Sequence, residues 1–174
     1  MSLTVPAGSG RFKIPRQKRA CRLPVRGLPG WMPAVNDPLA ALPHGPEFRF
    51  VDALDSLDPG KSATARYRVR GDEGFLAGHF PGNPLMPGVI LIEAIAQLGG
   101  VVAQSDPVIP PLGNLLLTGV RAAKILGAAR PGETLTVRAE VEGRLGGMIQ
   151  VAGAVSVGER PLATAKIMLS GQEA

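Results

Sequence analysis

The 174-residue sequence has a single cysteine, Cys21, and only two histidines, His44 and His79. One cysteine excludes an intramolecular disulfide framework and a cysteine-built zinc site, and it fits a reducing compartment. Two histidines cannot make a three-histidine metal centre, so no metal is expected. Aromatic residues are scarce at 4%, so the core must be aliphatic. No Gly-x-Ser-x-Gly, no P-loop and no Gly-x-Gly-x-x-Gly occurs, and no cofactor is implied. No apolar run is long enough to span a bilayer, and none forms the apolar stretch of a secretory signal. With 45% hydrophobic and 19% charged residues, the chain has ample material for one compact core.

The net charge of +5 is unevenly placed. Residues 1–31 carry seven cations, Arg11, Lys13, Arg16, Lys18, Arg19, Arg22 and Arg26, and no acid. The remaining 12 basic and 14 acidic residues leave the body at −2. A mildly acidic body is a poor nucleic-acid binder, whatever the overall pI. Residues 1–36 hold five prolines and no sustained hydrophobic period. They read as a basic, disordered extension, dispensable for catalysis, and a chain starting at Met32 is expected to fold. Residues 37–174 read as the folded domain.

Within that body, Phe48–Leu54 and Ala63–Arg70 read as strands, the second with clear period-two alternation, around a turn at Asp58-Pro59-Gly60-Lys61. Further strands are expected near 114–127, 133–145, 148–157 and 161–170. Arg130-Pro131-Gly132-Glu133, Gly146-Gly147 and Gly158-Glu159-Arg160-Pro161 mark the turns between them. Between the two groups lies one helix, Gly88–Ala103. Two strands, one helix and four strands exclude alternating βα units, so an α+β antiparallel sheet packed on a single helix is expected.

The helix is apolar on every side, so it should be buried all round, and at 16 residues, about 24 Å, it is short for a membrane span. One sheet should cover only part of it, which suggests a homodimer or a multiple of one. Its two polar side chains, Glu93 and Gln97, are four residues apart and share a face. An unpaired buried Glu favours its protonated form. The alternative is a Glu satisfied by Gln97 or by backbone. Before the helix runs Gly78-His79-Phe80-Pro81-Gly82-Asn83-Pro84-Leu85-Met86-Pro87-Gly88, with three prolines and three glycines in eleven residues. Such a segment is stiff and admits close backbone approach to a ligand. His79 and Glu93 around one pocket form a general base and general acid working near neutral pH. The N–H groups at the helix start, that of Gly88 above all, suit a developing oxyanion. His44 reads as structural.

The stretch from Gly78 to Val89, followed by Glu93-Ala94-Ile95-Ala96-Gln97, closely resembles the (3R)-hydroxyacyl-[acyl-carrier-protein] dehydratases of bacterial fatty acid synthesis. Leu42-Pro43-His44 with Phe48, Val51 and Asp52 resembles that family's opening motif. Leu117–Lys124 and Arg130–Leu135 resemble its segments after the helix. The likeness runs from about residue 40 to 171. It implies a hotdog fold, a curved antiparallel sheet wrapped around one long central helix. It also implies a homo-oligomer, a dimer or trimer of dimers, with active sites shared between subunits. The partner would be an acyl carrier protein bearing an acyl-phosphopantetheine substrate, in the cytoplasm, with no nucleic acid and no membrane span. By position, His79 is the base, Glu93 the acid, and the Gly88 N–H the thioester-binding group, with Gln97 in support. The product is a trans-2-enoyl thioester and water. The dehydratase–isomerase branch typically has Asp at the helix position, so Glu93 favours the plain dehydratase. Gly45 stands where the family usually has Arg, and Pro46, Glu47 and Arg49 also depart from its pattern. Competing readings are an acyl-CoA hydratase, a thioesterase, or a non-catalytic acyl-binding hotdog subunit. The His79–Gly82 segment argues against a thioesterase, and the presence of both His79 and Glu93 argues against a scaffold.

Overall fold

A computed structural model describes residues 37–173. The basic extension and the Met32 start fall outside the described residues. Two 3₁₀ turns, Pro38–Ala41 and Pro46–Phe48, precede strands β1 (Ala53–Asp58) and β2 (Ser62–Arg68). A short helix α1 (Gly74–Gly78) leads to the long helix α2 (Gly88–Gln104). Strands β3 (Gly113–Ile125), β4 (Thr134–Leu145), β5 (Met148–Val157) and β6 (Arg160–Gln172) complete the chain. All six strands form one antiparallel sheet in the order β1-β2-β4-β5-β6-β3.

The helix touches β2, β3, β4, β5 and β6, which are consecutive in the sheet. Five strands at about 4.8 Å spacing span about 19 Å, whereas a helix is about 10–12 Å across. A flat sheet could not bring all five to the helix, so the sheet curves around it. This is the expected α+β hotdog arrangement. The inward residues follow period two: Ala63, Ala65 and Tyr67 on β2, Leu135, Val137 and Ala139 on β4, Ile149 and Val151 on β5. They meet Leu91, Ile95, Leu98 and Val102 of α2, all fully buried. No helix among the described residues is long and apolar enough to cross a membrane.

Three expectations change. Of the expected strand Phe48–Leu54, only Ala53 and Leu54 are in a strand. Its neighbouring Phe50 and Val51 are both 1% exposed, which an alternating strand does not allow, and the Phe50 N–H bonds the Gln97 side chain instead of a ladder. This segment is a strap laid across α2, and β1 begins only at Ala53. Helix α1 is absent from the sequence reading because five residues cannot display a helical period. Finally, α2 is already buried from Ile90 to Val102 within one chain, apart from Glu93 and Gly100. Sheet and strap together cover it, so helix burial supplies no argument for an oligomer.

The unpartnered apolar surface lies elsewhere. Among the described residues, strand β3 is a sheet edge paired only with β6, and Leu116, Leu117, Val120 and Ile125 on it are exposed. An exposed apolar edge of 13 residues is a template for another strand.

Candidate active site

Helix α1 places His79 at its C-cap, where the His79 N–H reaches the Leu76 carbonyl at 3.3 Å. The helix itself is pinned by Glu73, its N-cap residue. Glu73 Oε1 accepts from the Tyr67 hydroxyl and the Arg70 N–H, each at 2.8 Å, and Oε2 accepts from the Gly71 N–H at 2.7 Å. Burial opposes the charged carboxylate, but these donors outweigh it and hold Glu73 below the usual carboxylate range. Burial, and the Glu73 carboxylate it donates to, push the Tyr67 hydroxyl well up.

After His79 the chain turns sharply. The Asn83 N–H bonds the Phe80 carbonyl at 2.8 Å, with Phe80 at φ 66° and Gly82 at φ 82°. A phenylalanine in the left-handed region is strained, so its surroundings must impose it. Two clamps do so. Buried Met86 donates its N–H to the Ala129 carbonyl at 2.8 Å, and Arg130 Nη1 reaches Asn83 Oδ1 at 2.6 Å. The result is an imidazole with a fixed tautomer. His79 Nδ1 lies 2.7 Å from the Leu85 carbonyl oxygen, which can only accept. Nδ1 therefore carries a hydrogen, and in the neutral ring the lone pair is on Nε2.

Gly88 opens α2, preceded by Pro87 as N-cap with no side-chain cap. Among the described residues its N–H has no hydrogen-bond partner. A Cβ at Gly88 would sit 3.0 Å from Ile125 Cγ2, so glycine keeps this helix start close to the end of β3.

Glu93 faces the strap rather than the sheet. Its side chain is 20% exposed, not fully buried. Nor is it unpaired: Oε1 accepts from Gln97 Nε2 at 3.0 Å and lies 3.3 Å from His44 Nε2. Buried Gln97 also donates to the Phe48 carbonyl and accepts from the Phe50 N–H, both at 2.8 Å. Gln97 and Glu93, four residues apart on the helix, are thus hydrogen-bonded to each other. His44, expected to be purely structural, sits against the carboxylate. It lies 49 residues from Glu93, so no local spacing could disclose the pairing. Within one chain His79 and Glu93 make no hydrogen bond or ion pair with each other. The described residues contain no cluster of three or more metal-ligating side chains.

The FabA-like domain model matches residues 42–166, which takes in the strap, α1, the turn after His79, α2 and most of the sheet. The chain belongs to the FabA-like family. Among curated relatives it is 39% identical over 112 residues to the 3-hydroxyacyl-[acyl-carrier-protein] dehydratase FabZ of Chloroflexus aggregans, covering 64% of this chain and 76% of that one. It is 33% identical over 139 residues to the FabZ of Wolbachia pipientis subsp. Culex pipiens, covering 80% and 96%. Solved structures similar to this family member include the dehydratase heterocomplex ApeI:P of Xenorhabdus doucetiae, at TM-score 0.64 and 19% identity over 76% of this chain and 88% of that one. A sigma28-regulated virulence protein of Campylobacter jejuni matches at TM-score 0.56 and 13% identity, over 78% and 85%. At such identities the structural likeness establishes the fold.

Proposed function

We propose that this FabA-like protein dehydrates (3R)-3-hydroxyacyl chains, carried on acyl carrier protein, to trans-2-enoyl thioesters in fatty acid biosynthesis. His79 Nε2 takes the proton from C2 of the acyl chain. The Gly88 N–H binds the thioester oxygen as negative charge develops there. Glu93 gives its proton to the C3 hydroxyl as the C3–O bond breaks and water leaves. Proton return from His79 to Glu93 through water restores both groups. The observation that carries this reading is the His79–Leu85 bond, which leaves Nε2 as a base on a clamped turn, nine residues before a helix start with an unpartnered N–H.

The site is completed in a dimer. His79 and Glu93 do not meet within one chain, and the exposed apolar edge of β3 supports pairing with a second copy. The base of one subunit then serves the acid of the other. The proposed compartment is the cytoplasm. Incubation with a 3-hydroxyacyl-carrier protein, and separately with its coenzyme A ester, followed by mass spectrometry, tests the reading. Loss of one water from the acyl group is expected, faster on the carrier protein. An acyl group hydrolysed to free acid would point to a thioesterase, and no change to either substrate would sink the enzyme reading.

A further inference from the structure

Three atoms around Glu93 fix more than its position. The Gln97 amide is locked by backbone: the Phe50 N–H can only donate, so the atom it meets is Oε1, and the Phe48 carbonyl can only accept, so it faces Nε2. The second Nε2 hydrogen therefore points at Glu93 Oε1, 3.0 Å away. That oxygen is an acceptor whether Glu93 is charged or neutral. A carbonyl-type oxygen accepts an N–H better than a carboxyl hydroxyl does, so the Gln97 bond favours the acid's own proton on Oε2. Among the described residues Oε2 has no partner.

His44 Nε2 approaches the same Oε1 at 3.3 Å. With Oε1 as the acceptor, the form of His44 that suits this close approach carries its hydrogen on Nε2. The other ring nitrogen, Nδ1, is buried with no partner. Burying an unpaired polar atom is costly, and Nε2 is the ring's one polar contact among the described residues. The ring is held by stacking on Phe48, centroids 6.2 Å apart and planes 30° apart. Phe48 is itself tied to Gln97 through its carbonyl.

We propose that His44 is a positioning residue for the acid: with Gln97 it holds Glu93 Oε1, so that Oε2 alone carries the proton delivered to the substrate hydroxyl. This rests on the reading of Glu93 as the acid, and the test separates the two. His44→Phe keeps a ring against Phe48 but removes the donor, while His44→Gln keeps a donor. His44→Ala serves as a second donorless variant if Phe disturbs the strap, with thermal melting reporting folding. The donorless variants should lose about 10- to 100-fold in kcat, the scale of a hydrogen bond to a charged group, with KM changed less than about twofold. His44→Gln should restore most of that loss. In a Glu93→Gln background, removing His44 should cost nothing further, because the side chain it positions no longer has a proton to deliver. Wild-type kcat in folded donorless variants, beside an impaired Glu93→Gln, overturns the role of His44 alone. An equal loss in both backgrounds also overturns it, as that is the mark of a merely structural side chain. Wild-type turnover by Glu93→Gln overturns the acid reading and this proposal with it.

Discussion

The imidazole of His79 donates its Nδ1 hydrogen to the Leu85 carbonyl at 2.7 Å, and this single bond decides which ring nitrogen can act as a base. Leu85 is held in turn by the Met86–Ala129 bond next to it, so the tautomer is a property of the clamped turn. His79→Ala should reduce dehydration by about 10²–10⁴-fold, the usual scale for a lost acid–base group. The fold should survive, since His79 is only half-buried on a loop. Rates on a 3-hydroxyacyl thioester, with circular dichroism for folding, check both halves.

Glu93→Gln should be impaired on the same scale, about 10²–10⁴-fold, because an amide cannot deliver a proton to the leaving hydroxyl. The change is nearly isosteric, and Gln97 and His44 can still donate to the new amide oxygen. Thermal stability should therefore stay close to wild type. Unimpaired turnover would return Glu93 to a structural role.

A shared site makes a prediction about mixtures. Dimers formed from His79→Ala and Glu93→Gln subunits should regain activity, since one of their two sites has both groups intact. Val120→Lys on the β3 edge should weaken the dimer, because it places a charge in the exposed apolar strip. Sedimentation velocity and activity should fall together. A fully active Val120→Lys monomer would contradict the shared site.

Glu73 links pH to stability through the α1 segment. Its folded-state value is held below the usual 4.5 by the Arg70 and Gly71 N–H groups and the Tyr67 hydroxyl, against the opposing effect of burial. A depressed carboxylate stabilises the fold above its unfolded-state value, and that contribution is lost as pH falls through the folded-state value. Glu73→Gln should thus be less stable than wild type at pH 7, by about 1–3 kcal/mol from donors left unpaired. The gap should narrow as both proteins are melted at progressively lower pH below 4.5. A gap that stays constant on acidification would refute the linkage.

Gly153 on β5 faces Ile95 of α2. A Cβ there would overlap Ile95 Cγ2 and lie 2.8 Å from the Arg138 carbonyl oxygen. Gly153→Ala should destabilise the fold by about 1–3 kcal/mol through overpacking. A lower denaturation midpoint with an unchanged slope is the expected result.

Much of this protein could be read from the order of its residues. Period-two alternation placed β2, the turn signals at 130–133, 146–147 and 158–161 separated β3, β4, β5 and β6 to within a few residues, and the apolar run of α2 with two polar positions four apart singled out Glu93 and Gln97. The periodic signals are local, since side-chain direction along a strand or helix repeats within a few residues. The prolines and glycines around His79 marked a stiff turn for the same reason. What tertiary structure decided was every pairing between distant segments. The strap at 48–52 looked like a strand because its composition is that of one; its Phe50 N–H instead meets the Gln97 amide, 47 residues away. His44 and Glu93 approach because that strap lies across the helix, and no spacing in the chain encodes a contact 49 residues long. The curvature of the sheet likewise arises from five strands closing on one helix. Together these contacts determine which oxygen of Glu93 is held and which has no partner among the described residues.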